Sequence, residues 1–189
     1  MKRFLKILAW SIVSIVLLLG VLLAGFVYKV KNGFPVSYET EAPAIDFPVD
    51  QTTVLLFSKS TGFRHGKSID AGKKVFTELA GKNNWFLYNT EAGGIFNPEQ
   101  LAKFDVVIFN NSTGRVLNDE QQKALEEYVE QGGTLLGIHG AGDDSHHWDW
   151  YEENLLGSKF SHHPIEHQLQ EAEVVLNAVP DSLLVQGLP

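Results

Sequence analysis

The chain predicts a doubly wound α/β domain, a mostly parallel sheet with helices on both faces. Three observations carry that expectation. Short apolar runs at 53–58, 85–89, 105–110 and 134–138 read as strands, and helix-period segments separate them. These runs lack period-2 alternation, as in strands covered on both sides. Polar or glycine-rich loops leave the first, third and fourth runs, so three exits open on one carboxyl edge, where ligands of such sheets bind.

Taken in order, the chain begins with an anchor at 1–32. Residues 7–28 carry no charge and are almost wholly apolar, with Ser11 and Ser14 as polar interruptions. A helix of that length covers about 30 Å, the hydrocarbon thickness. The run is long for a cleaved signal peptide, and no small-x-small site follows it, so an uncleaved signal anchor is expected. Lys2, Arg3 and Lys6 precede it, and Lys29 and Lys31 follow. That bias puts the amino end in the cytoplasm and the domain on the extracytoplasmic side, periplasmic or extracellular. Residues 33–50 hold Pro35, Pro43 and Pro48 without periodicity, and read as an extended linker through the headgroup zone.

The domain occupies 51–189. Strand 53–58 leads into the loop 59–66, and a helix begins near Ser68. Ile69, Gly72, Val75, Phe76, Leu79 and Ala80 recur at helical spacing and would face the sheet. Strand 85–89 follows, then a short helix through Lys103, capped by Asn97 with Pro98 at its first position. After strand 105–110, Asn118 and Gln121 form a capping-box pattern for a helix. Leu125, Tyr128 and Val129 face inward, and Gly132-Gly133 ends the helix. Strand 134–138 runs straight into the turn His139-Gly140-Ala141-Gly142. Beyond it, 151–156 reads as one or two helical turns ending at Gly157, 160–164 as irregular, and 171–177 as a further strand. A sheet with helices on both faces is not expected to stop at Pro189, so the sequence reads as cut short.

Composition excludes several chemistries. There is no cysteine among 189 residues, which removes disulfides, thiolate zinc sites and thiol nucleophiles. Five of the fifteen basic residues lie in the first 32 positions, which hold no acid; the rest has ten basic against 23 acidic residues, a formal charge of −13. Such a domain repels a phosphate backbone, so no nucleic-acid partner is expected. There is neither GxxxxGK[ST] nor GxGxxG after a strand, so a nucleotide role lacks support.

The chemistry-bearing residues are histidines. Six of the seven lie between 139 and 167, and His65 follows the first strand. His65 and His139 each sit beside glycine in a loop leaving a buried strand, which favours a site role as acid/base or metal ligand. His146, His147, His162 and His167 read as exposed loop residues. His163 precedes proline and stands between loop anchor and site member. Zinc is a candidate cofactor with His65, His139 and His163 as ligands, although no HExxH is present. Asp144 would fix an imidazole tautomer, and Asp149 reads as solvated. Arg64 would orient a polar substrate group. Gly62 and Gly140 would let backbone approach a ligand. Trp148, with Trp150 and Tyr151, reads either as a platform for a sugar face or as cover for the sheet edge.

The segments Thr61-Gly62-Phe63-Arg64-His65, Gly137-Ile138-His139-Gly140-Ala141, Trp150-Tyr151, Gly157-x-x-Phe160 and His163-Pro164 together resemble the ThuA-like (trehalose utilization) family over about 51–189. The resemblance implies a flavodoxin-like fold related to class I glutamine amidotransferases. Those enzymes place a cysteine at the strand-helix elbow, where this chain has His139, so glutaminase chemistry is excluded. The acidic-aromatic segment that usually closes the family does not follow Gly187-Leu188-Pro189. The resemblance implies carbohydrate metabolism, with trehalose or an oxidised disaccharide as substrate. Three functions stay open here: a sugar-processing enzyme, a noncatalytic sugar-binding or assembly module, and a metal-binding protein of another reaction.

Overall fold

The computed structural model describes residues 2–32, 37–143, 146–164, 166, 171 and 173. The first element is helix α1 (Lys2–Asn32). Its segment Lys2–Tyr28 is long and apolar enough to cross a membrane, by length and composition. Its side chains through Tyr28 are exposed.

Four parallel strands follow: β1 (Thr53–Phe57), β2 (Phe86–Thr90), β3 (Val106–Asn110) and β4 (Thr134–Ile138). Their order across the sheet is β2-β1-β3-β4. The chain therefore steps outward from β1 to β2, then crosses back to place β3 on the other side of β1. That reversal makes the carboxyl ends of β1 and β3 a topological switch point, where their loops part and leave a crevice.

Successive side chains of a strand point to opposite faces, and the two faces take different helices. Val54, Leu56 and Ile108 pack with Phe76, on α2 (Gly66–Asn83). Leu55, Phe57, Val107 and Phe109 pack with Leu101, Leu125, Trp148 and Tyr151. These come from α3 (Pro98–Leu101), α4 (Asp119–Glu130), α5 (Asp149–Tyr151) and the loop before α5. Phe57, Phe96 and Phe109 form a mutual aromatic cluster with ring centroids 4.7–5.9 Å apart. Burying each such ring contributes about 1.5–3 kcal/mol, which fixes the faces against a one-residue slip of register.

The helix signals act as the sequence implies. The Asn118 side chain accepts from the Gln121 N–H, and the Gln121 side chain accepts from the Asn118 N–H, a complete capping box. Asn97 caps α3 by accepting from the Gln100 N–H. Gly132 takes φ +96° after α4, and the Gly133 N–H donates to the Tyr128 carbonyl.

Three expectations need correction. Among the described residues β4 lies at the edge of the sheet, and Leu136 is 45 % exposed rather than covered. Val75 turns away from the sheet at 50 % exposure, because the face set by Ile69, Phe76 and Ala80 leaves it on the flank. The described part of the segment expected as an extended linker, 37–50, is docked on the domain. Phe47 packs on Phe104 and Phe86, the Pro43 carbonyl accepts from Gln100, and the Glu39 carbonyl accepts from Gln121. The apolar side chains Ile45 and Phe47 gain by covering the core edge, and side-chain donors satisfy the strand-free backbone. The strand expected at 171–177 lies outside the described residues apart from Glu171 and Glu173.

Candidate functional site at the switch point

The loops after β1 and β3 are joined. Ser60 pairs with Thr113 in a parallel bridge, and the Thr61 and Gly62 N–H groups both donate to the Thr113 carbonyl. The Thr113 hydroxyl in turn donates to the Phe63 carbonyl at 2.7 Å. Gly62 and Gly114 sit back to back; a Cβ on Gly114 would collide with the Gly62 amide. Gly62 thus serves close packing of two loops.

On that platform the two expected imidazoles meet. His65 ends the β1 loop, and His139 opens the turn His139–Gly142 after β4. Their ring centroids lie 4.5 Å apart at 75°. His139 holds φ +48°, the left-handed region that costs a residue with a Cβ about 1–2 kcal/mol. The bend projects its ring outward while Gly140 passes beneath. A Cβ on Gly140 would stand 2.7 Å from Thr113 Cγ2 and 3.3 Å from His65 Cδ2, so only glycine permits this approach. Burial and the neighbouring His139 charge hold the His65 pKa below the ordinary histidine value, and Asp143 pulls it back up.

Beneath the pair lies a buried polar cluster. Asn110, at the end of β3, is fully buried; its Nδ2 donates to Ser58 Oγ at 3.1 Å and to the Ile69 carbonyl at 3.0 Å. Its Oδ1 accepts from Asn111 Nδ2 at 3.0 Å. One side chain thereby ties β1, α2 and the β3 exit together. The sequence reading missed it; the only signal was an asparagine closing an otherwise apolar strand.

Other expected site residues sit elsewhere or are occupied. The guanidinium of Arg64 forms a two-pronged pair with Glu91, at 3.0 and 2.8 Å, and Lys73 binds the same carboxylate. Hydrogen bonding from Arg64 is the main reason the Glu91 pKa is lowered. The Arg64 fork therefore already engages a carboxylate, supplied by the β2 exit. Trp148 is buried in the core, donates from Nε1 to Glu126, and stacks on Trp150 and Tyr151. It covers the sheet and offers no platform for a sugar.

His163 is exposed with its ring toward Phe160. His146, expected in solvent, is 2 % exposed, because packing against Phe109 and Tyr151 outweighs hydration of a neutral ring. His147 and His162 are exposed, as is Asp149. Asp144 and His167 lie outside the described residues. The carboxylate that acts on His65 is Asp143. Among the described residues no three His, Asp or Glu side chains gather closely enough to hold a metal, so the zinc set of His65, His139 and His163 is not assembled.

A family model described as ThuA, trehalose utilisation, matches residues 53–189. A crystal structure of a ThuA-like protein from Bacteroides uniformis superposes with a TM-score of 0.51 at 22 % identity. The match covers 68 % of this chain and 50 % of that one, so the chain spans about half the length of its structural relative. That likeness shows the shared α/β fold. No curated protein matches the chain.

Proposed function

The chain belongs to the ThuA family, and from that premise we propose a membrane-anchored domain that processes a small carbohydrate, trehalose or a related or oxidised disaccharide. The observation that carries the reading is the contact of His65 with His139 at the switch point. Two imidazoles in contact resist carrying two positive charges together, and burial with that neighbour holds the His65 pKa low, which suits His65 to act as a base. A neutral His65 accepts a proton from a sugar hydroxyl or from carbon beside a carbonyl. His139, in ring contact with it, is the second group placed to exchange a proton with the departing or developing oxygen. No thiol is present to form an acyl intermediate. α1 is the anchor, and the basic flank before it supports placing the domain on the extracytoplasmic side.

The test is turnover of a panel of mono- and disaccharides, including oxidised ones, by the full chain in detergent. His65→Ala and His139→Ala should each cut turnover about 100-fold or more, the usual worth of a general acid or base. Wild-type rates in both variants would remove the assignment. A second reading, a sugar-binding module without chemistry, draws on the engagement of Arg64 by Glu91, which partly neutralises the guanidinium next to His65 in the chain. Saturable binding without product would select it.

A further inference from the structure

We infer that Phe63 is the stacking platform of this site, and that it selects ligands with a ring-shaped apolar face, a pyranose above all, over open-chain polyols. The inference rests on the carbohydrate reading above and assigns the residue that recognises the sugar. Phe63 is 75 % exposed, although it belongs to a loop held tightly at several points. Its carbonyl accepts from the Thr113 hydroxyl, and the two residues before it are bonded through their N–H groups to the Thr113 carbonyl. Such a loop does not expose a phenyl ring for lack of order; the backbone presents it.

The ring lies 4.8 Å from His65, centroid to centroid, at 70°. His65 lies 4.5 Å from His139. The three rings thus form one continuous aromatic row, solvent-facing at the phenyl end and ionisable at the other. The face of a phenyl ring carries the negative lobe of its quadrupole. The C–H face of a pyranose carries the matching positive polarisation, and its hydroxyl rim is free for hydrogen bonds. A sugar stacked on Phe63 has that rim within one ring's width of His65. An open-chain polyol offers the same hydroxyls and no flat C–H face. Trp148 and Tyr151, the aromatics that cover the sheet edge, are buried and do not compete.

The experiment is calorimetric titration of the full chain in detergent with a panel of mono- and disaccharides headed by trehalose, and with sorbitol as the open-chain control. Histidine ring NMR signals report whether the ligand reaches His65 and His139. Phe63→Ala should weaken binding about ten- to hundredfold, the worth of covering one phenyl ring. Phe63→Trp should keep it, and sorbitol should bind at least tenfold more weakly than the sugars. Phe63 touches solvent over most of its surface, so neither variant should shift the thermal midpoint. Sugar binding that perturbs the His65 and His139 signals equally in wild type and Phe63→Ala overturns the platform and leaves the proposed function standing. Equal affinity for sorbitol and sugars also overturns it. No sugar binding by the wild-type chain overturns both.

Discussion

Asn110→Ala tests the idea that the site stands on a buried polar pin. Asn110 has no exposed surface and contacts three partners: Ser58 Oγ, the Ile69 carbonyl and Asn111 Nδ2. Removing the amide strands two buried polar groups, the Ser58 hydroxyl and the Asn111 amide. Each costs about 1–3 kcal/mol when left unpaired, and partial relaxation brings the sum to about 2–4 kcal/mol. The Ile69 carbonyl loses less, since it lies inside α2 and keeps the helix ladder. For a domain of this size the loss lowers the melting temperature by about 6–12 °C. Urea unfolding of the full chain in detergent measures it, followed by the fluorescence of Trp85, Trp148 and Trp150. Ser58→Ala shares one of the bonds, so the double variant should fall short of additivity by about 0.5–1 kcal/mol. A single-variant loss below about 0.5 kcal/mol would show that the polar groups repair themselves, and the pin argument would fail.

Two further outcomes follow from burial and docking. Burial is the main cause holding the His146 pKa below the ordinary value; Asp143 and the Gly114 and Ala141 carbonyls oppose it, and His147 adds to it. The unfolded chain therefore takes up a proton below about pH 6.5 that the folded ring refuses. Stability from this group is complete above that pH and is lost as pH falls toward the folded pKa. The urea midpoint should drop between pH 7.5 and 5.5, and His146→Gln should flatten the drop; parallel pH profiles would refute the assignment. Phe47→Ala should cost about 1.5–2.5 kcal/mol, less than a fully buried phenylalanine because Phe47 is half-buried. It should also speed proteolysis within 37–50, whereas an unchanged cleavage rate would mean that the segment is not held by that ring.

Legibility followed the range of the interaction. The capping box of Asn118 and Gln121 was readable because its partners are three residues apart and need no tertiary context. β4 was placed at its true bounds, yet among the described residues it is less covered than expected, because an apolar run does not reveal how many neighbours a strand has. The segment 37–50 was read as an extended linker through the headgroup zone because prolines and broken periodicity describe a docked strap and a loose linker alike. A histidine beside glycine in a strand exit singled out His65 and His139, and the structure brings their rings together. Nothing local distinguished buried His146 from exposed His147.

The sequence by itself determined the alternation of strand and helix, the parallel doubly wound layout, the helix ends and the apolar membrane-length helix. These depend on spacings of two to four residues and on composition, which the chain states directly. Only the tertiary structure decided that Arg64 is held by Glu91, that Trp148 belongs to the core, and that Asn110 joins Ser58 across 52 positions. It also brought His65 and His139 into ring contact across the sheet edge. Strand order chooses which loops become neighbours, and strand order is settled by how both faces of the sheet are covered at once, a property of no single segment.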